Sequence, residues 1–164
     1  MSFVVPSHWR SKPSPNKSRR LQRVTAIVLH ADASAKVEST LDWITRGASQ
    51  VSYHVVVSRM GAIFCCVNPD EKAWHAGVSK LDHETNCNEF SVGVCLSNKN
   101  DGVEPYPQVQ VSATADVCAL LCRVYGIPVD RITTHAIVSP GRKTDPKGLD
   151  LEAFRESVRA RLKL

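Results

Sequence analysis

The chain has no apolar run long enough to cross a membrane. No stretch approaches the roughly 18 consecutive apolar residues of a transmembrane helix, and the first thirty residues lack the unbroken apolar core of a signal peptide. These absences predict a protein without a membrane span that is soluble and cytoplasmic on synthesis. With 164 residues and 43% apolar composition, the chain is long enough for one domain whose core needs neither a metal ion nor disulfides to fold. We expect a monomer.

The sequence also lacks spaced C-x-x-C pairs, although it contains six cysteines. The neighbours Cys65 and Cys66 would point to opposite faces of a strand. Together with the missing export signal, this pattern favours reduced cysteines that pack as small hydrophobic side chains. Disulfide pairing is the alternative.

Acidic residues are absent from positions 1–23, where six basic residues occur: Arg10, Lys12, Lys17, Arg19, Arg20 and Arg23. Several prolines and serines in this segment argue against regular structure. We therefore predict a flexible basic N-terminal arm that could contact an anionic partner such as a cell-wall polymer, a lipid or a nucleic acid. The alternative is a solvated tail that only aids solubility.

From residue 24 onward, strand and helix patterns alternate. The predicted strands cover residues 24–29, 51–58, 62–67, 91–97 and 132–134, and the predicted helices cover 35–46, 112–125 and the segment capped by Asp150. The second and third strands are joined by a short Gly-containing turn, which predicts a hairpin. Residues 68–90 read as a long loop. The order predicts an α/β fold for 24–164, with a central mixed β-sheet flanked by helices.

Two histidines and one aspartate have the chemistry of a metal site. His30 and His135 each follow an apolar strand, so both can project from one edge of the sheet, and Asp145 follows through a Pro-Gly loop. Two imidazoles and a carboxylate suit a catalytic Zn²⁺ and leave a fourth position open for water or substrate. We predict Zn²⁺ as the cofactor. In the alternative, Asp145 opens a turn before Pro146 and the histidines are polar strand caps.

Three further residues are candidates for chemistry around that ion. Lys143 could stabilise the oxygen that becomes negative as water attacks an amide, and Tyr53 could donate a hydrogen bond or pass a proton to the leaving amine. His75 could bind a polar group of the substrate. The alternatives are a solvated lysine and a tyrosine that packs across the hairpin. His54 should face the other side of the strand and is predicted to be structural.

Taken in order, these motifs resemble the zinc-dependent N-acetylmuramoyl-L-alanine amidases. The matching segments are His30, S-Y-H at 52–54 with its R-M-G turn, W-H-A-G at 74–77, S-V-G-V-C-L at 91–96, and His135 with the following P-G-R-K-T-D-P. The family includes short phage endolysins, recycling amidases and peptidoglycan recognition proteins, and it has a central mixed sheet with flanking helices. The resemblance implies zinc on His30, His135 and Asp145, catalytic roles for Tyr53 and Lys143, and His75 in the substrate groove.

At two positions the chain differs from one or the other branch of the family that it resembles. Recycling-type enzymes end the S-x-G-x strand with a catalytic Glu, whereas Cys95 stands here as in the short phage amidases; the phage type often has Cys as its third ligand, where this chain has Asp145. We expect an endolysin that cleaves the bond between N-acetylmuramic acid and L-alanine and acts on the cell wall after release. The alternatives are a non-catalytic peptidoglycan-binding module and an amidase with a second, regulatory role through its basic arm.

Overall fold

A six-stranded mixed sheet forms the centre of the computed structural model, which describes residues 2–164. The strands are β1 (Arg10–Ser11), β2 (Lys17–Ser18), β3 (Ala26–Ala31), β4 (Val55–Val57), β5 (Ile63–Cys65), β6 (Lys72–Ala73), β7 (Lys80–Leu81), β8 (Glu84–Thr85), β9 (Ser91–Leu96) and β10 (Ile132–Thr134). The helices are α1 (Val37–Ile44), α2 (Gln108–Tyr125), α3 (His135–Val138) and α4 (Leu151–Leu162). Short 3-10 turns cover Gly47–Ser49, Cys87–Glu89 and Val129–Arg131.

The strand order of the main sheet is β1-β5-β4-β9-β3-β10. All neighbouring strands are parallel except β4 and β5, which form the predicted antiparallel hairpin. Two small antiparallel pairs, β2 with β6 and β7 with β8, lie outside this sheet. The last three of these strands lie within the segment predicted to be a long loop. The mixed sheet of the predicted α/β fold is confirmed.

The central strands β3 and β9 are buried along their whole length. One face of the sheet contributes Ile27 and Leu29 to the main core, which α2 and α4 complete. On the opposite face, Val56 and Cys95 pack with Leu41 of α1. Because helices cover both faces, the buried strands are continuous apolar runs rather than alternating ones. The parallel strands β3 and β10 end at the same edge of the sheet.

The helix ends follow ordinary capping chemistry. Helix α2 begins directly after Pro107, four residues before the predicted start, and it ends at Gly126, whose φ of 68° is the left-handed conformation that favours glycine. The side chain of Asp150 caps α4 by accepting a hydrogen bond from the backbone N–H of Ala153 at 2.9 Å. That cap was predicted from the sequence.

Residues 2–23 pack on the domain, which corrects the prediction of a flexible N-terminal arm; Met1 lies outside the described residues. The side chains of Phe3 and Trp9 are buried in the main core, and β1 extends the sheet by pairing with β5. The amide of Asn16 donates hydrogen bonds to the carbonyls of residues 44, 46 and 51. The prolines restrict this segment to extended conformations without preventing order, because its apolar and amide side chains find partners in the core.

The six cysteines are free and buried, as predicted for small hydrophobic side chains. Among residues 2–164, no helix combines the length and apolar character needed to cross a membrane.

Candidate catalytic metal centre

The three predicted ligands meet at the edge of the sheet where β3 and β10 end. His30 lies in β3, and its Nδ1 is 3.1 Å from the Nδ1 of His135. The Oδ2 of Asp145 is 3.3 Å from Nδ1 of His30 and 3.2 Å from Nδ1 of His135. The candidate ligand atoms all lie within 4.8 Å of one another, and the three residues are buried. Residues 105 positions apart in the sequence thus form one cluster.

Local backbone structure explains how His135 and Asp145 come together. Strand β10 ends at Thr134, whose hydroxyl accepts a hydrogen bond from the N–H of Ile137 and so begins the short helix α3 with His135 as its first residue. The backbone carbonyl of Asp145 accepts the N–H of Ala136 at 2.9 Å. The N–H of Ala31 donates to the Asp145 carboxylate at 3.3 Å, which orients it toward the histidines.

The donor set fits Zn²⁺. The Nε2 of His135 is 3.0 Å from the carbonyl oxygen of Ala76, and because a carbonyl only accepts hydrogen bonds, this Nε2 carries the proton. The Nδ1 lone pair of His135 is therefore free to face the cluster. The Nε2 of His30 likewise has its own partner, the Nδ1 of His75 at 2.9 Å. The Nδ1 atoms of both rings and the Asp145 carboxylate thus converge, and a divalent cation would bind all three.

The electrostatics give these groups the protonation states that a metal requires. Burial lowers the pKa of His30 to about 4, so its imidazole is neutral near pH 7. Burial by itself would raise the pKa of Asp145, but its close contacts with His135 and His30 outweigh that effect and hold the pKa below its ordinary value. The site thus contains an ionised carboxylate, and neutral imidazole at His30, without any need for deprotonation on metal binding.

Tyr53 lies beside the ligand His30, with 5.1 Å between the ring centroids. Burial raises the pKa of the Tyr53 phenol well above its ordinary value, and the neighbouring Cys95 adds to this. The phenol is therefore protonated and able to donate a hydrogen bond. Tyr53 also lines a cavity of about 300 Å³ that includes Asp32 and the half-exposed Trp43. His54, the next residue, faces away as predicted, with its Nε2 3.0 Å from the Arg20 guanidinium.

Lys143 is exposed in the loop between α3 and Asp145. Its backbone N–H donates to the carbonyl of Ser139 at 3.0 Å, which ties this loop to the end of α3. Burial is the main cause of the lowered pKa of His30, and the positive charge of Lys143 contributes to it. The exposed ammonium group thus contributes to the electrostatics of His30.

His75 does not line a groove, which corrects its predicted place in the substrate-binding surface. The side chain is 4% exposed and lies behind His30. Its Nε2 is 3.4 Å from the hydroxyl of Ser91. Its ring packs against Gly93, where a Cβ would lie 2.5 Å from the ring Cγ. His75 therefore contacts a ligand on the side away from the metal position.

Three residues that were not singled out from the sequence also surround the centre. Arg142 donates a hydrogen bond to the carbonyl of Ala76 at 2.6 Å, and Asn88 accepts from the backbone of residues 75 and 76. Asp32 accepts hydrogen bonds from the N–H of Asn98 and from the hydroxyl of Thr40. Asp32 could have been found from the sequence, because it follows the candidate ligand His30 by two residues. Asn88 could not have been found in this way, because its contacts depend on how the loop folds back.

The fold and the site together define an α/β domain with an open centre of two histidines and one aspartate. The sequence model of the N-acetylmuramoyl-L-alanine amidases matches residues 20–148, and the chain belongs to that family.

Known proteins show the same relationship. The chain is 35% identical over 112 residues to the 1,6-anhydro-N-acetylmuramyl-L-alanine amidase AmpD of Haemophilus influenzae, an alignment that covers 67% of this chain and 60% of the relative. The crystal structure of a selenomethionine derivative of AmpD superposes with a TM-score of 0.79 at 28% identity, covering 94% of this chain and 96% of the other. The amidase AmiD of Escherichia coli, solved with anhydro-N-acetylmuramic acid-L-Ala-D-γ-Glu-L-Lys, gives 0.76 at 27% identity and coverages of 83% and 58%.

Proposed function

We propose that this chain is a zinc-dependent amidase that hydrolyses the bond between the lactyl group of N-acetylmuramic acid and the L-alanine of the stem peptide. The observation that carries the proposal is the convergence of His30, His135 and Asp145 beside Tyr53, in a chain of the amidase family. AmiD, which the chain resembles in structure, was solved with a muramyl peptide that contains this bond. A peptidoglycan-binding module without activity is disfavoured, because no ligand of the set is lost.

The ion would be held by His30, His135 and Asp145. When bound, Zn²⁺ supplies Lewis-acid polarisation of a carbonyl and lowers the pKa of a water molecule. The protonated phenol of Tyr53 donates a hydrogen bond to the substrate oxygen that gains negative charge, and it is placed to pass a proton to the leaving amine. Lys143 stabilises the same negative charge from the solvent side.

Cys95 does not share in the proton transfer. Its side chain is fully buried, and burial raises the pKa of the thiol well above its ordinary value. A neutral thiol is a poor base, so Tyr53 carries more of the proton chemistry than in an enzyme with a glutamate at this position.

Within this activity we propose an endolysin role, in which intact peptidoglycan is the substrate. The supporting residue is Cys95, which stands where the recycling-type enzymes have glutamate. The second candidate is hydrolysis of soluble anhydro-muramyl peptides, which is favoured by the similarity to the 1,6-anhydro-N-acetylmuramyl-L-alanine amidase AmpD. Both roles use the same bond and the same residues, and they differ in whether the muramic acid belongs to a glycan polymer or to a small anhydro-sugar peptide.

The basic residues near the N-terminus supply a surface for an anionic polymer. Arg10, Lys12, Arg19 and Arg23 are exposed although the segment itself is packed on the domain. We propose that these side chains attract acidic groups of the cell wall electrostatically. The alternative is that they bind a regulatory partner. Replacement of all four by glutamine should weaken binding to sacculi at low salt without a change in zinc content.

The activity is tested on purified sacculi and on a soluble anhydro-muramyl tripeptide in parallel. We expect new L-alanine amino termini from sacculi, and we expect them to disappear with a chelator and in the His135→Ala and Asp145→Ala variants. New sugar reducing ends would refute the amidase assignment. Cleavage of the soluble peptide alone, with intact sacculi, would refute the endolysin role and support the second candidate.

A further inference from the structure

One short segment of the chain contacts both histidine ligands on the side away from the metal position. The side chain of His75 is the partner of Nε2 of His30 at 2.9 Å, and the carbonyl of the adjacent Ala76 is the partner of Nε2 of His135 at 3.0 Å. Since these two contacts come from neighbouring residues, a shift of this segment would rotate both ligand rings together. The orientation of both Nδ1 atoms therefore depends on where residues 75 and 76 are held.

Asn88 holds that segment. The side-chain oxygen Oδ1 of Asn88 accepts the backbone N–H of His75 at 3.0 Å and that of Ala76 at 2.8 Å. A single carboxamide oxygen thus fixes two consecutive backbone N–H groups. They belong to the two residues that contact His30 and His135. Without it, two largely enclosed N–H groups would lose their acceptor, which is unfavourable for buried backbone groups.

Asn88 is in turn held in place by Arg20 of the N-terminal segment. The guanidinium of Arg20 donates to the backbone carbonyls of Asn88 at 3.2 Å and Glu89 at 2.9 Å. Burial lowers the pKa of Arg20 to about 10, so the side chain is still charged near pH 7. Charge-assisted bonds to carbonyls are stronger than neutral ones, and they make the turn around Asn88 a rigid support.

The His75 ring has room for only one position. It packs against Gly93 of β9, where any side chain would collide with it. Its Nε2 faces the hydroxyl of Ser91 at 3.4 Å. The contact between His75 and His30 is therefore set by the backbone position that Asn88 determines and by the space that Gly93 leaves.

We propose that Asn88 is a positioning residue of the metal centre. It touches neither the ion nor the substrate. It acts through the backbone of residues 75 and 76, which hold His30 and His135 with their Nδ1 atoms facing the ion. The inference rests on the proposed metal site and is independent of which amide or which size of substrate the enzyme cleaves.

The test compares Asn88→Ala with Asn88→Asp, which keeps an acceptor oxygen at the same place. Loss of partners behind metal ligands lowers metal affinity by about 10–100-fold, so we expect this loss in Asn88→Ala, measured by competition with a chromogenic chelator. Asn88→Asp should bind Zn²⁺ within a few-fold of the wild-type protein. The visible absorption of the Co²⁺-substituted protein should change in Asn88→Ala and be retained in Asn88→Asp.

Gln110→Ala is the matched control. Gln110 is a fully buried carboxamide whose Nε2 donates to the carbonyls of Val57 and Ser97 at 3.0 Å, so its loss destabilises the fold away from the ligands. We expect lower stability but unchanged zinc affinity and Co²⁺ spectrum. If Asn88→Ala does not fold, Asn88→Ser provides a shorter acceptor that cannot reach both N–H groups and should show the same loss.

Two results would overturn the inference. One is wild-type zinc affinity and an unchanged Co²⁺ spectrum in a folded Asn88→Ala or Asn88→Ser variant. The other is an equal loss in Asn88→Asp, which would show that the acceptor oxygen is not the cause. Neither measurement needs substrate, so failure of the amidase proposal is separate: it would appear as a wild-type protein that binds zinc but releases no L-alanine termini.

Discussion

At the scale of single residues, the site depends on where hydrogen-bonding atoms point. His30 and His135 each place Nδ1 toward the cluster because Nε2 already has a partner. Asp145 is held ionised by the same two rings. The proposed chemistry therefore depends on the arrangement of three buried side chains and on Tyr53, the neighbouring phenol.

Replacement of Tyr53 by Phe tests its role in proton transfer. The ring and its contact with His30 are kept, but the hydroxyl that we propose as the donor to the developing oxyanion is lost. Loss of general acid–base catalysis lowers the rate by about 10²–10⁴-fold, so we expect such a fall in kcat with unchanged zinc content. Release of L-alanine termini and metal analysis measure the two quantities.

Cys95→Ala is the control for that variant. Because the buried thiol is neutral, its removal should change kcat by less than the loss of the Tyr53 hydroxyl. A fall in kcat as large as that of Tyr53→Phe would contradict the division of roles between these two residues.

At the scale of elements, strand and helix positions follow local chemistry. The buried strands β3 and β9 are readable as apolar runs because both faces are covered by helices. Helix α3 was not predicted, since four residues after a strand give no periodic pattern. It matters all the same, because it makes His135 the first residue of a helical turn beside Asp145.

The cap of α4 can be measured directly. Asp150 accepts the N–H of Ala153, and loss of an N-cap lowers stability by about 0.5–2 kcal/mol. We expect Asp150→Ala to reduce the free energy of unfolding in urea by that amount, with Asp150→Asn close to the wild type. Because α4 packs on the core face remote from the metal cluster, zinc affinity should be unchanged; a loss of zinc binding would contradict this separation.

At the scale of the whole molecule, the N-terminal segment is part of the fold. It contributes Phe3 and Trp9 to the core, the edge strand β1 to the sheet, and Arg20 to the turn that carries Asn88. The segment that carries much of the positive charge thus also contacts the turn that lies behind the candidate ligands.

Trp9→Ala measures how firmly that segment is packed. Truncation of a buried Trp costs about 3–5 kcal/mol, and Trp9 is 7% exposed. We expect a decrease of this size in the free energy of unfolding, which urea denaturation measures. Leu21→Ala is the matched control, since Leu21 is 76% exposed and should change stability little. Equal stability of the wild-type and Trp9→Ala proteins would restore the picture of a flexible arm.

The candidate ligands, the long strands and helices of residues 24–164 and the cap of α4 could be predicted from the sequence alone. These features depend on side-chain chemistry and on patterns among residues that are close in the sequence, so they are visible without the fold. Two imidazoles at the ends of apolar strands, with a carboxylate in the loop after the second, predicted the cluster because parallel strands end at a common edge.

The position of the N-terminal segment, the burial of His75 behind His30 and the contacts of Asn88 became visible only in the folded chain. Each depends on contacts across the fold: His30 meets His75 across 45 positions, and Arg20 meets Asn88 across 68. The sequence shows a histidine in a loop and a basic, proline-containing start. Which partners such residues find is set by the packing of the whole chain, because burial and hydrogen-bond geometry exist only once distant segments are brought together.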